Sequence, residues 1–376
     1  MRQIINEINQ YKKNHKKKEI TFKNNKLITQ VNCYYEFYSK KLIDFSNAFN
    51  NLFKGQNSNN TLITYIVEDE NIFNRINNYI KSNDLIETNA IKDFNKATLT
   101  TSLAKCSKDK KYYIIKCYAY FIYIFNKNKQ ECFMIVKKNK KAITMINILL
   151  LTPYLMYGEL YGIHGGLVNK DNQNILINNS SLGGKTTFAL LFALNNWDII
   201  TEETTYITKQ GAILPYNIRN YFNIRVGTYL AFEDYFLEKG IINETFLSMK
   251  NKNRNELFKY GKKNQFSINF DIIGKNVEFS DMRITHSLKV SITEKENIEI
   301  SKCSSTEIVK SFLELSLAPT VLLFQELLNY NNIDIEKRTI ELNDIFKNIE
   351  SFILKSGFNY REKFNYIIKT IHVKQK

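Results

Sequence analysis

The residues Asn179, Ser180, Ser181, Leu182, Gly183, Gly184, Lys185, Thr186 and Thr187 are of the types that hold a phosphate chain. They follow a short apolar run at 175–177 and lead into an apolar run at 185–194, an order that predicts strand, polar loop and helix. Backbone N–H groups of such a loop and the dipole of the helix behind it favour an anion. Lys185 would then reach the β- and γ-phosphates, and the Thr186 hydroxyl would ligate Mg²⁺. The first glycine of the G-x-x-x-x-G-K-T pattern falls at Asn179. Asn is the non-glycine residue that best tolerates left-handed backbone geometry, so the loop survives the change.

Two further groups of residues belong with this loop. Glu202 and Glu203 follow the run 198–201, which reads as the next strand of a βαβ unit. Ligands of open α/β sheets sit beyond the carboxyl ends of the strands, so these acids lie beside the phosphates. One of them could hold Mg²⁺ and the other accept the proton of an attacking hydroxyl. His164 stands just upstream, followed by Gly165 and Gly166, and none of the other three histidines has a comparable setting. A strand with its hairpin partner would bring His164 next to the acids.

Other elements must hold these residues in place. Residues 1–60 form a polar, helix-leaning lead-in, with alternating stretches at 18–35 that suit edge strands. Strands are expected at 62–67, 112–125 and 131–136, the last two joined by a turn at 126–129, and an apolar helix at 142–155. Glycines cluster from Gly158 onward, where the strand–loop–helix–strand order begins, and alternation returns at 266–273 and 284–292. Ser304 with Glu307 fits a capping box opening a helix to about 317. Ile345, Ile349, Phe352 and Ile353 share one helical face, predicting a second helix over 343–355 that stops at Gly357.

His164 with its glycines, the phosphate loop and the paired acid, at these separations, resemble the HPr kinase/phosphorylase superfamily, in particular its peptide and small-molecule kinase branches. The resemblance covers about residues 160–230. It implies an α/β fold with a P-loop kinase core of the HPr kinase and phosphoenolpyruvate carboxykinase type, using ATP and Mg²⁺ to phosphorylate serine-type hydroxyls. It makes Lys185 part of the catalytic set, Glu202 the general base paired to His164, and Glu203 the partner of Thr186 on Mg²⁺. Members of the family carry Asp-Asp where this chain has Glu202 and Glu203, and the longer side chains leave the division of base and metal ligand between the two open. Arg225, within Ile224, Arg225, Val226 and Gly227, echoes the family's Arg-Gly signature and is a candidate for stabilising transferred charge. On this reading 1–155 is an N-terminal α/β region that binds the acceptor, 156–300 the kinase core, and 301–376 a helical C-terminal region. The acceptor implied is a peptide or protein, as in modified-peptide biosynthesis, with a small molecule or a purely regulatory nucleotide-binding role as alternatives. The resemblance leaves a homo-oligomer open.

Composition bounds the partners. At about 100–200 residues per domain, 376 residues make two or three domains. Lys and Arg number 53 against 37 Asp and Glu, a net charge of +16, but only eight of the basic residues are Arg. Base readout and bidentate phosphate clamps favour Arg, so the surplus reads as solvated surface, with nucleic acid not expected as a partner. The five cysteines form no C-x-x-C pair or metal spacing, which, with no signal peptide, suggests a reducing cytoplasm. The longest apolar run, 145–157, is too short to span a bilayer and contains Pro153, so no membrane association is expected.

Overall fold

The computed structural model describes residues 1–81, 85–98, 102–139, 141–179, 184–219, 221–275, 281–292, 298–310, 319–328, 333–357 and 364–371. The chain is mixed α/β and divides into two units. One comprises Met1–Tyr161 with Ser316–Ile335, the other Gly162–Leu315 with Glu336–Lys376.

The first unit is built on an eight-stranded sheet of β1 (Lys18–Lys23), β2 (Ile28–Cys33), β3 (Thr61–Glu68), β4 (Leu85–Ile86), β5 (Ser102–Ser107), β6 (Tyr112–Cys117), β7 (Phe121–Asn126) and β8 (Glu131–Val136). The strand order is β1-β2-β3-β8-β7-β6-β5-β4, with β2, β3 and β8 parallel and the others antiparallel to their neighbours. Of the two strands expected within 18–35, β1 lies at the edge and β2 inside. The run 112–125 is two strands, because Tyr118 takes a left-handed backbone (φ 57°) and turns the chain. Helix Glu70–Ile80 starts where the Asp69 side chain accepts the Ile72 N–H at 2.8 Å, and Ile72, Phe73, Ile76 and Ile80 pack on Ile114, Ile122, Ile124, Phe133 and Ile135. Helix Ala142–Met156 is buried along nearly its whole length, and the Tyr154 hydroxyl within it donates to the Phe22 carbonyl at 3.1 Å. Among the described residues no helix is long and apolar enough to cross a membrane.

The second unit holds β9 (Leu160–Ile163), which spans the boundary, β10 (Gly165–Lys170), β11 (Gln173–Asn178), β12 (Asp198–Thr201), β13 (Thr205–Thr208), β14 (Tyr221–Ile224), β15 (Phe266–Asn269), β16 (His286–Ile292), β17 (Glu299–Lys302) and β18 (Glu350–Ser356). Six of these form one sheet in the order β12-β10-β11-β16-β18-β17. β11, β16 and β18 are parallel, and β10 runs antiparallel to both β11 and β12, so β12 points the same way as β11. Ile175, Ile177, Leu288, Val290, Phe352 and Leu354 face helix Lys185–Leu194, which contributes Phe188, Leu191 and Phe192 to the same core.

Two expectations about this unit are corrected. The helix expected over 343–355 is instead the end of helix Ile335–Phe346 followed by β18, so the C-terminal region is not purely helical. Phe352 and Leu354 alternate into the core while seven residue pairs register β18 against β16, and that pairing overrides the helical spacing. The stretch 266–273 is strand only to Asn269, whose side chain then accepts the Asp271 N–H and opens the short helix Phe270–Ile273. The Ser304 hydroxyl accepts the Glu307 N–H at 3.3 Å, opening helix Ser305–Lys310; the expected continuation over 311–317 lies outside the described residues.

Candidate active site

The hairpin of β10 and β11 turns at Asp171 and Asn172, both with positive φ as a two-residue hairpin turn requires. Its register sets Gly165 opposite Asn178 at the other end of the ladder. His164, just before β10, therefore stands at the edge where β11 ends, ahead of helix Lys185–Leu194. β12 ends at this same edge, with Thr201 opposite Leu167. Three buried hydrogen bonds fasten the two strand ends together. The Leu167 N–H donates to the Thr201 hydroxyl at 3.0 Å, that hydroxyl donates to Thr205 at 2.7 Å, and the Thr205 hydroxyl donates to the Gly165 carbonyl at 2.9 Å. Gly166 permits this closeness, since a Cβ there would lie 2.8 Å from the Glu202 carbonyl oxygen and 3.1 Å from that of Thr201.

Thr186, in the first turn of helix Lys185–Leu194, donates its hydroxyl hydrogen to Glu202 Oε1 at 3.0 Å. Glu202 is only 4% exposed, and its Oε2 is buried without a hydrogen-bond partner among the described residues. Burial, then the neighbouring Glu203 charge, push the Glu202 carboxyl up to about 7, against the pull of Arg219, Thr186 and Lys185. Glu203 is more open. One of its oxygens lies 3.6 Å from His164 Nε2, and the other is paired with the Arg219 guanidinium. Burial raises the Glu203 carboxyl too, but the His164 hydrogen bond and the Arg219 charge outweigh it and hold the group below the usual carboxylate range. The Lys185 ammonium donates to the Asn179 carbonyl at 2.9 Å, and burial pulls it below the ordinary amine range against the two acids.

The structure thus gathers His164, Lys185, Thr186, Glu202 and Glu203 at one sheet edge, but with partners exchanged relative to expectation. His164 pairs with Glu203 rather than Glu202, and Thr186 meets Glu202 rather than Glu203. The reason is a bulge. The register passes from Val168 opposite Ile199 to Leu167 opposite Thr201, which leaves Ile200 as an extra residue and reverses the facing of everything after it.

The remaining loop residues are placed as follows. Gly184 takes a left-handed backbone (φ 98°) at the helix start, where a Cβ would lie 2.8 Å from Ile292. The Asn179 side chain donates to the Val290 carbonyl. Thr187 faces away from the acids, sharing a 2.9 Å hydrogen bond with the Thr228 hydroxyl. Ser180, Ser181, Leu182 and Gly183 lie outside the described residues. Arg225 stands at the start of helix Val226–Ala231 with its guanidinium on the Gly261 carbonyl, and the charge of Glu203 reaches it.

Two residues at the site were not expected from sequence. Asn217 accepts the Glu202 N–H at 3.3 Å through its side-chain oxygen and donates through its amide to the Arg219 carbonyl, and Arg219 holds Glu203. The available signal was faint: Arg219 is the arginine nearest the acid pair in sequence. No known protein-family model matches the chain, and no curated protein is similar enough to it to be matched.

Proposed function

We propose that this protein is an ATP- and Mg²⁺-dependent phosphotransferase that moves the γ-phosphoryl group to a Ser- or Thr-type hydroxyl of a peptide or protein. The observation that carries the reading is the 3.0 Å hydrogen bond between Thr186, beside Lys185 at the start of a helix, and Glu202, beyond the end of β12. Strand, loop and helix in this order suit a nucleotide's phosphates, and the acid pair suits the reacting end.

The residues fit a magnesium ion. Mg²⁺ takes oxygen donors and is held by one or two protein groups together with substrate phosphates. The Thr186 hydroxyl and the Glu202 carboxylate would be those groups, and the buried Glu202 Oε2, which has no hydrogen-bond partner among the described residues, suits a cation. The bound ion would neutralise charge on the phosphates. Glu203 is ionised, partly open and oriented from both sides by His164 and Arg219, which suits it to take the acceptor's proton. Lys185 supplies positive charge beside the loop.

The test is transfer of γ-labelled phosphate from Mg·ATP into size-fractionated extract of the source cell, comparing wild type with Lys185→Ala. Label that depends on Lys185 is the expected result, and its size fraction separates a peptide or protein from a small-molecule acceptor. Nucleotide binding with no labelled fraction would replace the kinase reading with a regulatory one, and equal labelling by the variant would remove the phosphate loop from the account.

A further inference from the structure

We propose that Arg219, rather than Arg225, is the catalytic arginine of this site, its guanidinium contacting the γ-phosphoryl oxygens while transfer takes place. The inference rests on the phosphotransferase reading and goes beyond it by naming the group that meets the developing charge.

Four observations lead there. The first concerns reach. A base touches the attacking oxygen, and the attacking oxygen touches phosphorus, so a donor on the base's second oxygen stands one hydrogen-bond layer from the equatorial phosphoryl oxygens. Arg219 is in that position, on the opposite oxygen of Glu203 from His164. A guanidinium has five N–H groups in a rigid fork, enough to keep a carboxylate and meet an anion together. The second is exposure. The Arg219 and Glu203 side chains are 27% and 29% exposed, so both can be reached from solvent, whereas Glu202 is shut in. The third is electrical: Arg219 lies near enough to Lys185 for its charge to act on that ammonium. The fourth is anchoring. Asn217 ties the Arg219 carbonyl and the Glu202 N–H to one side chain, so Arg219 is carried on the same scaffold as the acids. Arg225, by contrast, has its guanidinium on the Gly261 carbonyl, on another segment from the acids.

In the step concerned, the bond from γ-phosphorus to the oxygen bridging the β-phosphorus breaks, its electron pair leaving on ADP. The acceptor hydroxyl oxygen forms the new bond to phosphorus, and its proton passes to Glu203. Negative charge spread over the three equatorial oxygens is what Arg219 meets.

The experiment needs no acceptor. Binding of Mg·ADP, and of Mg·ADP with aluminium fluoride as a mimic of the transferring group, is measured by calorimetry for wild type, Arg219→Ala, Arg219→Lys and Arg225→Ala, each checked for its melting temperature. Wild type and Arg225→Ala are expected to bind the fluoride complex at least about 100-fold more tightly than Mg·ADP, because transition-state mimics gain that much. Arg219→Ala and Arg219→Lys should bind Mg·ADP within about threefold of wild type yet lose that gain. Added guanidinium should restore part of the gain to Arg219→Ala. A fluoride gain that survives Arg219→Ala overturns the proposal, as does a gain lost in Arg225→Ala instead. Equal loss of Mg·ADP and fluoride binding together with a lowered melting temperature would make Arg219 a structural residue. Failure of the wild type itself to bind Mg·ADP would overturn the phosphotransferase reading, and the role of Arg219 with it.

Discussion

Glu202→Gln is expected to make the nucleotide-free protein more stable at pH 8 while removing its activity. Glu202 is 4% exposed, one of its oxygens is satisfied by Thr186 and the other by no group among the described residues. Burial first, and the Glu203 charge second, raise its carboxyl from 4.5 to about 7. At 1.36 kcal/mol per pH unit, keeping this group ionised in the folded state costs on the order of 3 kcal/mol. The folded value lies above the unfolded one, so the stability given by the neutral carboxyl is fully present below pH 4.5 and is lost as pH rises through 7. Gln has no charge to desolvate, but its amide would be buried without a partner, a cost of about 1 kcal/mol. The net gain at pH 8 is then about 2 kcal/mol, or a rise of about 4–8 °C in melting temperature for a unit of this size.

The assay can watch the right unit. Trp197 is the only tryptophan in the chain, and at 6% exposed it belongs to the same core as helix Lys185–Leu194. Its fluorescence during thermal unfolding, in EDTA, should place the variant's midpoint about 2–4 °C below that of wild type at pH 4.5, where only the amide cost remains, and above it by pH 8. With Mg·ADP present the order should reverse, because only wild type offers the carboxylate that shares the cation with Thr186. Equal midpoints at pH 8 would refute the claim that a charge is buried without compensation. A separation that is the same at pH 4.5 and pH 8 would refute its electrostatic origin.

Two other substitutions probe the same edge. Gly166→Ala puts a Cβ 2.8 Å from the Glu202 carbonyl oxygen, a backbone atom that cannot swing away. It should cost about 1–3 kcal/mol in Trp197-monitored urea unfolding and displace both acids, with phosphotransfer lost as well. Glu203→Gln should lower the turnover number by about 10²–10⁴-fold while Mg·ADP affinity stays within a few-fold of wild type, since the base acts on the acceptor's proton. An unchanged turnover number would move the base away from Glu203.

Much of the site's frame was legible because it rests on local sequence. A polar loop between two apolar runs marks helix Lys185–Leu194 at its observed limits and the middle of β11 at 175–177, and β12 falls at the expected 198–201. What escaped depends on pairing between distant segments. β18 carries residues at helical spacing, yet it lies between β16 and β17, where alternation into the core decides the conformation. The Asn217 brace comes from a segment with no periodic pattern, whose meaning exists only once its side chain meets the Glu202 N–H.

The exchanged roles of the two acids show why such a pair cannot be assigned from order alone. Successive residues of a strand face opposite sides, so one of two adjacent acids leaving β12 must face helix Lys185–Leu194 and the other must face away. Ile199 and its partner Val168 are on the helix side. Counted by twos along a regular strand, Thr201 and Glu203 would join them, and Glu203 would meet Thr186. The extra residue Ile200 instead puts Thr201 opposite Leu167, on the other face, and turns Glu202 toward the helix. A single residue of register therefore decides which acid is buried beside Thr186 and which stands open between His164 and Arg219. The three hydrogen bonds of Leu167, Thr201, Thr205 and Gly165 hold that register. The bulge is thus the element that separates the two carboxyls into a shielded one beside Thr186 and an exposed one between His164 and Arg219, the difference on which the proposed division into cation ligand and base rests.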